Sequence, residues 1–273
     1  MSMKSGRKPV AIAFQFLLTF LLLGCGSNEN VKYHEDNITS GTIHISVDES
    51  FKPIIDSQIR VFESAFGKAH IIAHYKPEAE CLKDLKYDSI RMIIVTRGLT
   101  RAEEKILKDT LQFNAVQGRM AYDAIAVLVN NQAKDSIFDM ADLRSMVKGT
   151  SGYKYNVVMD GLSATSTVRY ALDSLAKGEK LGANVMAATS SQGVIDYISN
   201  NTNAIGFVGV SWIANPEDSS QTSFLKKVKI ASIECTVCNP TTYVKPYQAN
   251  IAMRRYPLVR GLYYVLKENF QGL

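Results

Sequence analysis

From Gly41 to Lys267 short β-prone runs alternate with segments whose apolar residues recur at helical spacing. Thr42 to Val47 reads as a strand. Phe51 to Phe66 reads as an amphipathic helix with Ile55, Ile59, Phe62 and Phe66 on one face. Ala69 to Tyr75 and Arg91 to Val95 are further strands, and a charged helix follows over Arg101 to Leu107. Tyr122 to Asn130 is strongly apolar and strand-like. Asp139 to Met146 is a short helix, Tyr155 to Met159 a strand, and Ser190 to Asn200 another helix. Asn203 to Val210 and Val228 to Ser232 are strands, and a long apolar run over Tyr256 to Lys267 closes the pattern. Such alternation predicts an α/β architecture with mostly parallel sheets. No repeat, heptad array or low-complexity tract interrupts it.

In open α/β sheets, ligands sit outside the carboxyl ends of the strands. Three stretches are expected there: Ser46 to Ser50, Thr96 to Thr100, and Ser163 to Thr167. The last belongs to Asp160-Gly161-Leu162-Ser163-Ala164-Thr165-Ser166-Thr167, which lies between a strand and a helix carrying Val168, Leu172 and Leu175 on one face. The first N–H groups of a helix lack intrahelical partners and carry partial positive charge. Clustered hydroxyls at that end either cap the helix or help it hold an oxyanion. All three stretches carry small hydroxyls, and Arg97 adds a guanidinium to the second. Asp48 and Glu49 read equally as helix N-terminal charges.

The N-terminus reads as a secretory signal. Lys4, Arg7 and Lys8 precede an apolar run from Pro9 to Leu23, which ends in Leu22-Leu23-Gly24-Cys25. The order of charge, apolar core, small residue and cysteine predicts a lipoprotein signal over 1–24, with lipid carried by Cys25. A polar tether over 25–40 follows. The whole chain carries a formal charge of +5, and loss of Lys4, Arg7 and Lys8 leaves +2. That balance excludes a basic nucleic-acid footprint. Besides Cys25, Cys81 stands alone. Cys235 and Cys238 form a C-x-x-C with β-prone flanks and Asn239-Pro240 behind it. Thioredoxin-like chemistry needs such a pair at a helix start, and zinc needs two more ligands. The pair therefore reads as structural, either as free thiols or as a local disulfide.

Hydrolytic chemistry finds little support. His34, His44, His70 and His74 belong to no H-E-x-x-H, and no G-x-S-x-G elbow is present. Asp160 lacks the flanking acids of a metal phosphatase. No catalytic residue, metal or cofactor is expected.

Several of these stretches together resemble the phosphate-binding lipoproteins of ABC importers, in the form common among Bacteroidetes-type bacteria. Gly41 to Asp48 is similar to that family's opening strand and first ligand loop, and Ile94 to Thr100 to its second. Tyr122 to Asn130 is similar to an interdomain strand, and Asp160 to Arg169 to the hydroxyl-rich third loop. Asn203 to Gly209 and Tyr256 to Arg260 match as well. The resemblance implies a two-lobed, periplasmic-binding-protein-like type II fold with the ligand in the cleft. Lobe 1 would comprise 41–119 plus 254–273 and lobe 2 would span 120–253, hinged near Ala121 to Asp123 and Ala252 to Arg254. It implies capture of inorganic phosphate or a related oxyanion by Ser46, Asp48, Thr96, Arg97, Ser163, Thr165, Ser166 and Thr167. Asp48 or Asp160 would accept from a protonated phosphate oxygen. The implied protein is a monomer, anchored in the cell envelope through Cys25 and partnered by ABC permease subunits. The alternatives are a sensor or adhesion module on the same fold and, further off, a surface hydrolase.

Two departures stand out. Better-known members carry an arginine shortly before the third loop, where this chain has Val157-Val158-Met159, leaving Arg97 or Arg169 to replace it. The chain also ends at Leu273, where members usually continue into a last helix, so the expectation is either a truncated C-terminal end of lobe 1 or a first lobe that packs differently.

Overall fold

The computed structural model describes residues 37–161 and 163–267. The expected signal segment, Cys25, most of the tether and the last residues of the chain lie outside them. Twelve strands are described: β1 (Ser40–Asp48), β2 (Lys68–Lys76), β3 (Ile90–Val95), β4 (Ala115–Asn130), β5 (Ile137–Phe138), β6 (Asn156–Met159), β7 (Val185–Ala187), β8 (Ala204–Gly209), β9 (Val228–Ile230), β10 (Ser232–Glu234), β11 (Tyr243–Val244) and β12 (Val259–Lys267). The helices are α1 (Lys52–Ala65), α2 (Glu78–Asp84), α3 (Arg101–Leu111), α4 (Met140–Lys148), α5 (Ser166–Tyr170, continued as a π-turn over Ala171–Leu175), α6 (Ser191–Asn200), α7 (Ser219–Leu225) and α8 (Gln248–Ala252). Single 3-10 turns lie at Glu49–Phe51 and Val210–Trp212.

The strands run in the order β2-β1-β3-β12-β4-β8-β6-β7, with β9 on β4, and β11-β10-β5 form a small separate sheet. The sheet is mixed rather than mostly parallel. Parallel pairs lie towards its two ends, β1 with β2 and β3, and β6 with β7 and β8. The middle is antiparallel, because β4 and β12 pair with each other and with their flanking strands β8 and β3. This is the two-lobed α/β arrangement, with β4 and β12 as the ribbon between the lobes.

The composition of β4 explains how one strand serves both sides. From Val116 to Tyr122 it carries mostly exposed residues, and its partner there is β12. From Asp123 to Asn130 every residue is buried. There Ile125, Val127 and Val129 enter a core with Leu143, Met146 and Phe207. The alternate residues Ala126 and Leu128 enter another with Val194, Ile195 and Ile198 of α6. A strand covered on both faces reads as a continuous apolar run, and only that half has the pattern. On β1, Ile43, Ile45 and Val47 face a core with Phe51, Ile55 and Ile94. Alternation sends Ser46 and Asp48 to the other face, with Asp48 at the carboxyl end. Cys235 and Cys238 are joined as a disulfide with their Cα atoms 5.4 Å apart, which closes the alternative left open by the sequence.

Candidate functional site

The first loop turns immediately after β1. Asp48 caps the 3-10 turn, its Oδ1 accepting from the Ser50 backbone N–H at 2.9 Å and from Ser50 Oγ at 2.6 Å. The other carboxyl oxygen, Oδ2, is buried with no hydrogen-bond partner among the described residues. Burial pushes the carboxyl up to about 6, against the pull of the nearby Arg260 guanidinium.

Arg260 enters this space from β12. Its Nη2 donates to Ser50 Oγ at 2.8 Å, its Nη1 to Ser166 Oγ at 2.9 Å, and its Nε to Asp123 Oδ2 at 2.7 Å. Ser50 and Ser166 hydroxyls stand 3.4 Å apart. The side chain lies over the Phe51 ring and is buried. Burial alone would weaken its hold on the proton, but the carboxylates of Asp123 and Asp48 more than offset that, and the guanidinium stays charged. Arg260 pairs with Asp123 directly across the ribbon. Two opposite charges, each set in a strand of apolar neighbours, are the signal in the sequence that could have found them. Neither was singled out there, and Ser50 was named only as part of the first loop.

The third loop arranges its hydroxyls unequally. Thr165 Oγ1 donates to Asp160 Oδ1 at 2.9 Å and accepts from the Val168 N–H, so it caps α5. Thr167 Oγ1 donates to Asp160 Oδ2 at 3.2 Å. Burial raises the Asp160 carboxyl, and these donors pull it back. Ser166, fully buried, faces Arg260 instead. Ser163 is exposed. Ala164 adopts a left-handed φ of 69°, and its carbonyl accepts from the Ala79 N–H at 3.0 Å. A non-glycine residue in that region is strained and persists where its surroundings hold it.

The second loop meets the third through a buried glutamate. Glu78 accepts from the Thr96 N–H at 2.9 Å, from Thr96 Oγ1, and from Arg169 Nε at 2.6 Å. Arg169 also donates to Thr96 Oγ1 at 2.6 Å. Burial pushes the Glu78 carboxyl up, but the Arg169 and Thr96 donors overcome it and hold it below the usual range. Nearby, Glu49 accepts from Ser191 Oγ at 2.7 Å and from the Ser191 N–H, and burial pushes its carboxyl up to about 7.

Two residues expected in this group point elsewhere. Ser46 donates to Asp84, which also binds Lys76, because the strand's alternation turns Ser46 towards α2. Arg97 forms a two-pronged ion pair with Glu103 in the first turn of α3, at 2.8 Å for each prong. The guanidinium among the loop hydroxyls is therefore Arg260. Arg169 is the one that ties the second loop to the third. Chemically, the assembly offers buried hydroxyls, a charged guanidinium and a carboxyl oxygen free to accept, which suits a small oxyanion carrying a proton.

Residues 34–272 match the family model described as a PBP superfamily domain. The chain belongs to the PBP superfamily. No curated protein matches it. Among solved structures, this PBP-superfamily chain is similar to a protein from Clostridium perfringens, described as a phosphate ABC transporter substrate-binding protein with bound phosphate. The TM-score is 0.68 and the identity 17%, over 84% of this chain and 87% of that one. It is similar to an ABC-type phosphate transport receptor from Vibrio cholerae, with a TM-score of 0.57 and 19% identity over 83% and 87% of the two chains. It is also similar to a single-substitution form of the OxyR2 regulatory domain from Vibrio vulnificus, with a TM-score of 0.56 and 11% identity over 85% and 90%. At these identities the likeness is one of fold.

Proposed function

We propose that this protein captures inorganic phosphate, or a closely related oxyanion, in the cleft between its lobes and delivers it to an ABC permease. The observation that carries the reading is Arg260, a buried guanidinium set between the Ser50 and Ser166 hydroxyls beside the unpartnered oxygen of Asp48. A guanidinium has five N–H donors, and three make the bonds named above, so others can serve a ligand. Asp48 would accept from the protonated oxygen of phosphate and favour it over fully ionised sulfate. Thr96, Thr165 and Thr167 would hold the three loop tips in register, and α5 would present its first amides. The fold of the two phosphate-transport proteins supports the reading.

The proposal extends to the rest of the molecule. Lobe 1 would comprise 41–119 plus 254–273 and lobe 2 120–253, closing about Ala121 to Asp123 and Ala252 to Arg254. The mature chain would be a monomer held at the extracytoplasmic face of a membrane by lipid on Cys25. Fractionation of cells carrying Cys25→Ser tests the anchor, which predicts release of the protein from the membrane. Calorimetry on protein stripped of ligand tests the site: phosphate should bind at micromolar or tighter Kd and more strongly than sulfate. No heat from folded protein at millimolar phosphate would overturn the reading.

A further inference from the structure

We propose that the outer face of the β4–β12 ribbon carries a second binding site, for a compact organic dianion such as a phosphate monoester or a dicarboxylate. Asp123 and Arg260 occupy the face of the ribbon that looks into the cleft. The next paired residues, Tyr122 and Gly261, lie on the opposite face. There a cavity of about 360 Å³ opens, lined among others by Arg119, Tyr122, Thr236 and Arg254.

The two guanidiniums converge on one ring. Arg119 lies 4.4 Å and Arg254 4.8 Å from the Tyr122 centroid, and Arg254 Nη2 donates to the Tyr122 hydroxyl at 2.5 Å. Among the described residues their contacts run to this aromatic ring rather than to a carboxylate, so both positive charges face the cavity without neutralisation. Held against a ring, a guanidinium is oriented in advance to bind phosphate or carboxylate in a two-pronged way. Thr236, between the two bridged cysteines, brings a hydroxyl to the rim from a loop that the disulfide constrains.

Arg254 is placed at a conformational cost. Its φ is 54°, in the left-handed region that favours glycine, yet the position carries a long charged side chain. This conformation ends α8, the Arg255 N–H donating to the Asn250 carbonyl at 2.8 Å. The cavity reaches the lower range of small-molecule sites, room for a carbon skeleton bearing the anionic group.

Arg260 also contributes to the lining of this cavity, so the test keeps the two sites apart. It titrates glycerol 3-phosphate, and separately malate, into protein with the cleft filled by equimolar inorganic phosphate. Saturable one-to-one binding of either probe is expected, and the tighter of the two identifies the anionic group preferred. Arg119→Gln should weaken that binding at least tenfold, with the phosphate titration of the cleft unchanged. Arg254→Gly should keep or raise the melting temperature while weakening the probe. That combination is one a purely structural role for Arg254 does not produce. No saturable heat at about 10 mM probe, or binding unaltered by both variants, would overturn the inference. If inorganic phosphate fails in the cleft while the probes still bind, only the cleft reading falls.

Discussion

At the scale of single residues, the buried carboxyl of Asp48 makes stability depend on pH. Its pKa lies at about 6 in the folded protein against an ordinary 3.8. A raised acid holds its proton better when folded. The resulting stability is complete below about pH 4 and is lost as pH rises through 6. Glu49, pushed to about 7, acts in the same direction. Asp48→Asn keeps the shape without the charge. It should stabilise the ligand-free protein at pH 8 by up to about 3 kcal/mol, and by much less at pH 4. Urea unfolding of both proteins at the two pH values checks this. Arg260→Lys keeps a charge opposite Asp123 but loses the planar fork that reaches Ser50 and Ser166 together. Phosphate affinity should fall about 10- to 100-fold, the range for a lost hydrogen bond to a charged group. Calorimetry showing equal affinities would place the ligand elsewhere.

At the scale of elements, β8 and α6 pack without slack. A methyl group on Gly206 would stand 2.7 Å from Ile198 Cγ1 and 2.8 Å from Val194 Cγ1. Both side chains are β-branched and stiff at χ1, so neither yields easily. Gly206→Ala should destabilise the fold by about 1–3 kcal/mol, read as a lower urea midpoint with an unchanged slope. Strands and helices with a complete periodic pattern were legible in the sequence, α1, β3, α6 and β8 among them. The first half of β4 was not. Its residues from Ala115 to Ala121 alternate weakly, and their strand character comes from pairing with β12, far along the chain. Helix α2 was missed for a related reason. Seven residues with Glu78, Cys81 and Asp84 buried do not show an amphipathic stripe, because its buried acids are matched by Thr96, Arg169, Ser46 and Lys76.

At the scale of the whole molecule, several bonds already join the elements on either side of the candidate cleft. Glu78 with Arg169, Glu49 with Ser191, and Ser50 with Ser211 span it. The Glu78–Arg169 pair is the strongest of these by charge and burial, since Glu78 is almost fully enclosed. Arg169→Gln should therefore enlarge the radius of gyration of the ligand-free protein in solution scattering, with phosphate restoring it. An unchanged radius without ligand would remove this pair from the control of closure.

The order of strands and helices, and the placement of three hydroxyl-bearing loops at strand ends, follow from local pattern, because hydrophobic periodicity and chain polarity are properties of neighbouring residues. Partnership does not. That Ser46 turns to Asp84, that Arg97 serves Glu103, and that Arg260 reaches the serines while Arg169 takes Glu78 depends on strand alternation and register between distant segments. A guanidinium's role is set by which carboxyl or hydroxyl it meets first, and only the folded chain decides that meeting.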